Sequence, residues 1–197
     1  MPTMVEAYKY SELSEKAKEK VREWFLDKYA DPTLSDDLQY IFAQRLEQEG
    51  FPTDGIRWSL GYCQGSGCSF IGRVDILKYT TFHNLRGWGP LEEFALVEIR
   101  PRRDVWQYVH WNSVYVEMEE DTVILDEDPH PAEWWCRQYL KQLEEHIRDR
   151  VKEVNKELER MGYEETEARR EDKYVDEEIL ANYDDLLFTE DGERIPI

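Results

Sequence analysis

Only three cysteines, Cys63, Cys68 and Cys136, occur in 197 residues. The number is odd and lacks the spacing of a disulfide framework, as expected for a reducing compartment. Apolar runs are short, and none approaches the ~18 residues that a transmembrane helix requires. Met1–Glu6 has neither the basic nor the apolar region of a signal peptide, so the expected location is the cytoplasm, without a membrane partner. Basic side chains are scarce too: 25 stand against 44 acidic ones, for a net charge of −19. Phosphates need Lys or Arg to displace their counterions, so direct nucleic-acid contact is disfavoured. A basic protein partner fits instead, including one that itself binds nucleic acid. Four histidines carry no metal-ligand spacing, and no cofactor is expected.

What is present is enough for a core. Hydrophobic residues make up 41% and aromatics 13%, with seven tryptophans, which argues against wholesale disorder. Ser11 or Ser14 caps a predicted helix with Leu13, Ala17, Val21, Trp24 and Phe25 on one face, ended by Asp31-Pro32. A second runs from Thr33 or Ser35 through Leu34, Leu38, Ile41, Phe42 and Leu46 to Gly50. Residues 77–93 read as irregular, and 91–100 as a short helix or a strand. Residues 105–118 alternate as a long strand, with 122–125 pairing back on it.

Pro131 suits the first turn of a long helix. Cys136, Leu140, Leu143, Ile147, Val151, Val154, Leu158 and Met161 step by three or four up to Gly162. Such a helix of about 45 Å outruns a small sheet, so its far half needs another element or a second protomer, a homodimer contact. A short helix near 174–183 and a hairpin on Asp191-Gly192 follow. The expected architecture is α+β: a largely antiparallel sheet with helices on one face. The expected domains are a single unit over 1–161 and an acidic helix and hairpin over 162–197, packed on it.

Residues 56–76 contain two strand-like runs around Gln64, Gly65, Ser66 and Gly67, a polar turn with two glycines. Glycine reaches φ > 0 without strain, so a bare, approachable hairpin backbone is predicted. Tyr62–Phe70, Tyr108–Val114, Ser11–Ala17 and Phe188–Gly192 together resemble a family of small phage and prophage proteins labelled as antitoxins of a toxin–antitoxin stability system. The resemblance implies a phage origin, action in the host-cell cytoplasm and a protein-level role. Cys63 and Ser66 stand where that family's Ser-Gln-Gly-Asp-Gly pattern has serine and aspartate. The aspartate it would offer as a metal ligand or general base is therefore missing here.

Several groupings of candidate site residues follow. Tyr108, His110 and Asn112 share a face of the predicted strand. His110 with Ser66 or Cys63 would imitate a base and nucleophile, but no orienting carboxylate is identifiable. Cys63 and Cys68 would face each other across the hairpin as packed thiols; with His83 and His110 they nominally complete a zinc site, at the edge of the usual spacing. His130 and His146 are read as structural. Glu119, Glu120 and Asp121 lie in a run of carboxylates from 117 to 128 without Lys or Arg. Asp184 and Asp185 lie in the tail 162–197, with thirteen acidic and four basic side chains. Such blocks stay at the surface. The leading reading is a non-enzymatic acidic protein that binds and modulates a host protein or defence complex, by mimicking nucleic acid. The alternatives are a small enzyme or ligand binder built on the hairpin and His110, and an antitoxin neutralising a basic toxin.

Overall fold

Helical periodicity and capping carry through into the computed structural model. It describes residues 6–29, 33–61, 63–87, 95–105, 107–120 and 131–196, with 120 and 131–136 as backbone alone. Contacts divide the chain into two units, Met1–Leu34 with Glu164–Ile197, and Ser35–Tyr163. Residues 1–34 group with the tail in this division.

In the first unit Ser14 caps α1 (Glu15–Lys28) by accepting from the Ala17 amide at 3.3 Å. Ala17, Val21 and Phe25 are buried on one face and pack with Val175 and Ile179 of α5 (Asp172–Asn182). Burying each large side chain of this cluster contributes about 1.5–3 kcal/mol. Tyr8 and Phe188 exchange backbone hydrogen bonds of 2.8 and 2.9 Å, and Phe188 also bridges Arg194. The Asp191-Gly192 turn forms as expected. Gly192 has φ +83°, and a methyl there would lie 2.4 Å from the Ala17 carbonyl, so only glycine lets the turn rest on α1. Arg22 grips Asp176 through Nε at 2.6 Å and Nη2 at 2.8 Å.

The second unit carries a four-stranded antiparallel sheet in the order β1 (Gly55–Ser59), β2 (Gly67–Val74), β3 (Ala95–Pro101) and β4 (Val114–Glu120). With α2 (Leu34–Glu47, of which Leu34 falls in the first unit), α3 (Ile76–Phe82) and the long α4 (Pro131–Ala168, of which Glu164–Ala168 fall in the first unit), this is the expected α+β class. Along α4, Leu140, Leu143, Ile147, Val151, Val154 and Leu158 are buried within the chain itself. Gly162 lies by Leu60, Glu159 by Gly67 and His146 by Tyr79, so α4 runs antiparallel to β2.

Three expectations change, and the open choice of helix or strand for 91–100 is decided. The helix does not stop at Gly162: a methyl there would meet Leu60 Cδ1 at 2.9 Å and Phe42 Cζ at 3.0 Å, so this glycine serves close packing. Residues 76–82 are helical because the Asp75 carboxylate accepts from the Lys78 amide at 2.8 Å. The segment 95–101 is a strand. The long strand over 105–118 shrinks to β4, preceded by turns and a 3-10 turn at Trp111–Ser113. Tyr108, His110 and Asn112 therefore do not share a strand face. The proposed strand at 122–125 lies outside the described residues.

Candidate functional site

The β1–β2 ladder closes at Ser59 and Gly67, leaving a loop that holds Gln64, Gly65 and Ser66. Gly65 and Gly67 both adopt positive φ, +102° and +145°. The Ser66 amide donates to the Cys63 carbonyl at 2.9 Å, and the Ser66 hydroxyl meets the Cys63 sulfur at 2.9 Å. The space beside each glycine is taken by Tyr108 and His110. A methyl on Gly65 would sit 2.3 Å from Tyr108 Cδ1, and one on Gly67 would sit 2.9 Å from His110 Cα. The Val109 amide donates to the Gly65 carbonyl at 3.2 Å, which locks the two loops together. Tyr108 and His110 thus reach the turn by a loop rather than a strand.

His110 Nδ1 accepts from the Asn112 amide at 2.9 Å and caps the 3-10 turn. A neutral His110 therefore carries its proton on Nε2 and donates there. Ser66 is engaged by Cys63, so the geometry does not set His110 against a nucleophile. Cys63 is exposed and Cys68 is buried opposite Trp58, so the two thiols do not face each other, contrary to expectation. The reason is register: Gly67, not Cys68, meets Ser59. Burial, reinforced by the nearby Glu159 charge, pushes the Cys68 thiol up to about 12. His83 stands apart, beside Tyr79 and the Glu49 carbonyl. No cluster of three His, Cys, Asp or Glu side chains among the described residues could hold a metal.

The sequence missed the neighbours that complete this surface. Lys152 and Lys156 of α4 place their ammonium groups 5.2 and 4.7 Å from the centre of the Trp111 ring, and Glu159 reaches Gly67. Their spacing of four and three residues puts them on one helix face, a signal visible in the sequence. That this face meets Trp111 was not visible. Tyr108 remains 39% exposed while its ring is held by Gly65, and Gln64 is exposed at the tip.

The acidic candidates are less bare than their sequence suggests. Alternation on β3 and β4 puts Glu98, Arg100, Glu117 and Glu119 on one face, with Val97, Ile99 and Val116 buried on the other. Arg100 pairs with Glu98 at 2.6 Å, Glu119 at 3.1 Å and also Glu117. Glu120 ends β4 opposite Ala95, and Asp121 lies outside the described residues. In the first unit Asp184 pairs with Lys9 at 2.7 Å, and Asp185 is exposed.

A second polar cluster, unread in the sequence, lies in the second unit, apart from the glycine turn. Glu49, 7% exposed, accepts from Arg150 at 2.7 and 2.5 Å and from Arg45 at 2.5 Å, with His83 Nε2 at 3.4 Å. Burial alone would raise the Glu49 carboxyl, but the two guanidiniums outweigh it and hold it below the ordinary carboxylate range. Tyr79 bonds His146 Nδ1 at 2.8 Å, and burial followed by the His83 charge depresses that imidazole. These groups satisfy one another, as a structural network does.

No helix among the described residues is long and apolar enough to cross a membrane. Comparison with protein-family models, curated proteins and solved structures finds no match for this chain.

Proposed function

We propose that this chain is a non-enzymatic binding protein whose contact surface is the glycine turn with Tyr108, His110 and Trp111. The observation that carries this reading is the filling of the space beside Gly65 and Gly67 by Tyr108 and His110. A turn that cradles a ligand keeps that space open; here the glycines instead mount an exposed tyrosine rigidly. Pre-organised Tyr and Trp side chains are the common anchors of protein interfaces, because little side-chain freedom is lost on contact. The net charge of −19 selects a basic partner and speeds encounter with it. The resemblance to phage proteins makes that partner a host protein, including one with a nucleic-acid groove.

Capture from a bacterial lysate, followed by kinetics with the purified partner, tests this reading. Tyr108→Ala should raise the dissociation rate about tenfold or more. Joint replacement of Glu119 by Gln and of Asp184 and Asp185 by Asn should slow association and leave dissociation nearly unchanged. Added DNA or RNA should displace the protein if the partner's nucleic-acid groove is the site. Unchanged kinetics for Tyr108→Ala would remove the platform, and salt-insensitive association would remove the steering.

A further inference from the structure

The first unit contains a cavity of about 250 Å³ bounded by α1, Leu34, the end of α4 and α5. Its walls include four aromatic rings. Phe25 and Tyr29 stack with ring centres 4.9 Å apart, and Tyr183 sets its edge against both, at 5.1 and 4.8 Å. Tyr174 adds a fourth ring, over which the Arg169 guanidinium lies 5.6 Å from the centre. Rings braced in this way hold their positions, so the cavity does not need to be built by its occupant. The volume falls just under the ~300–1,000 Å³ of drug-sized sites, which suits one ring with a short substituent rather than a nucleotide.

Charge selects the substituent. Residues 164–197 hold thirteen acidic and only four basic side chains, yet two of those four, Arg169 and Arg170, line this cavity. Arg169 is also bonded to Glu165 at 2.9 Å and to Thr33 at 3.0 Å. Arg170 is exposed, and none of the ion pairs among the described residues engages its guanidinium. Glu178 also lines the cavity, where it accepts from the Asn182 amide group at 2.9 Å. With Arg169 already paired to Glu165, Arg170 is the guanidinium left to meet a ligand at this lining, in an otherwise acidic segment. A planar guanidinium recognises a carboxylate through two parallel hydrogen bonds.

We propose that this cavity binds a small aromatic carboxylate, its ring among Phe25, Tyr29, Tyr174 and Tyr183 and its carboxylate on Arg170. The site is independent of the glycine-turn surface and lies wholly in the other unit. Phenylacetate, the uncharged phenylacetamide and the cationic phenethylammonium are the probes, titrated into the full chain and followed by amide NMR. Phenylacetate should shift the Val175 and Tyr183 amides saturably, with a Kd of about 1 mM or below. Phenylacetamide should bind about tenfold more weakly, the loss of one charge-assisted contact. Arg170→Gln should make the acid and the amide bind alike. Thr166→Phe, which fills the cavity from its wall, should abolish both. Because Arg170 is exposed, its replacement leaves the fold intact and keeps the test decisive even if Thr166→Phe does not fold. The proposal is overturned by the absence of saturable shifts up to ~10 mM phenylacetate. It is equally overturned by acid and amide binding alike to the parent, by tighter binding of phenethylammonium, or by full binding to a folded Thr166→Phe.

Discussion

Placing a single methyl group on Gly65 probes the contact on which the binding surface rests. Gly65 has φ +102°, and the methyl would lie 2.3 Å from Tyr108 Cδ1 and 2.9 Å from Cε1. Two costs add. The left-handed backbone costs an L-residue about 1–2 kcal/mol. Displacing a packed ring costs a further ~1–3 kcal/mol. Gly87 separates them, since its φ is +84° and nothing lies within 4 Å of a methyl there. Gly87→Ala should therefore show the backbone cost alone, and Gly65→Ala about 2–5 kcal/mol in all. In a Tyr108→Ala background the ring is gone, and Gly65→Ala should cost no more than Gly87→Ala. The coupling energy of that cycle should be about 1–3 kcal/mol. Urea unfolding followed by tryptophan fluorescence measures each variant, and unchanged m-values would license the comparison. For a chain of this size, each kcal/mol also moves the melting temperature by about 2–4 °C. Equal costs for Gly65→Ala and Gly87→Ala, in both backgrounds, would mean that Tyr108 does not rest on the turn, and the platform would lose its mount.

Two further outcomes follow from the second unit. The Glu49 carboxyl is held low in the fold, so its contribution to stability is complete above its unfolded pKa, about 4.3, and is lost as pH falls through the folded value. The stability gap between the parent and Glu49→Gln should accordingly be constant near neutrality and shrink below about pH 4; a gap that widens on acidification would contradict the guanidinium cage around Glu49. Thiol labelling in a Cys136→Ser background should modify the exposed Cys63 readily. It should reach Cys68, raised to about 12, only when the protein unfolds, and fast native labelling of Cys68 would contradict its burial.

The central weight of the fold was legible along the chain. Ser14 and the spacing of Ala17, Val21 and Phe25 announced α1, the three-and-four stepping from Leu140 to Leu158 announced α4, and Asp191-Gly192 announced the last turn. The two glycines at 65 and 67 marked the hairpin, and both take the positive φ that made them informative. Each of these signals is local: a helix face, a cap or a turn is written within a few residues of itself. What lay beyond reach was pairing at a distance. Residues 105–113 alternate like a strand, yet Val109 donates to Gly65 and Arg102 to Ser113, so the loop folds onto the turn instead. Gly162 looked like a helix end because nothing near it in sequence announced Leu60 and Phe42. The run of carboxylates from 117 looked unpaired until the sheet register set Arg100 among them, and Glu49 gave no sign of Arg150, a hundred residues on. The sequence by itself determined α1, α4, the two glycine turns and the net charge, because propensity, periodicity and titratable composition are properties of neighbours or of sums. Only the tertiary structure decided which charges are neutralised, what fills the space beside Gly65 and Gly67, and where an aromatic cavity meets two arginines. Each of those depends on surfaces that touch only after the chain has folded.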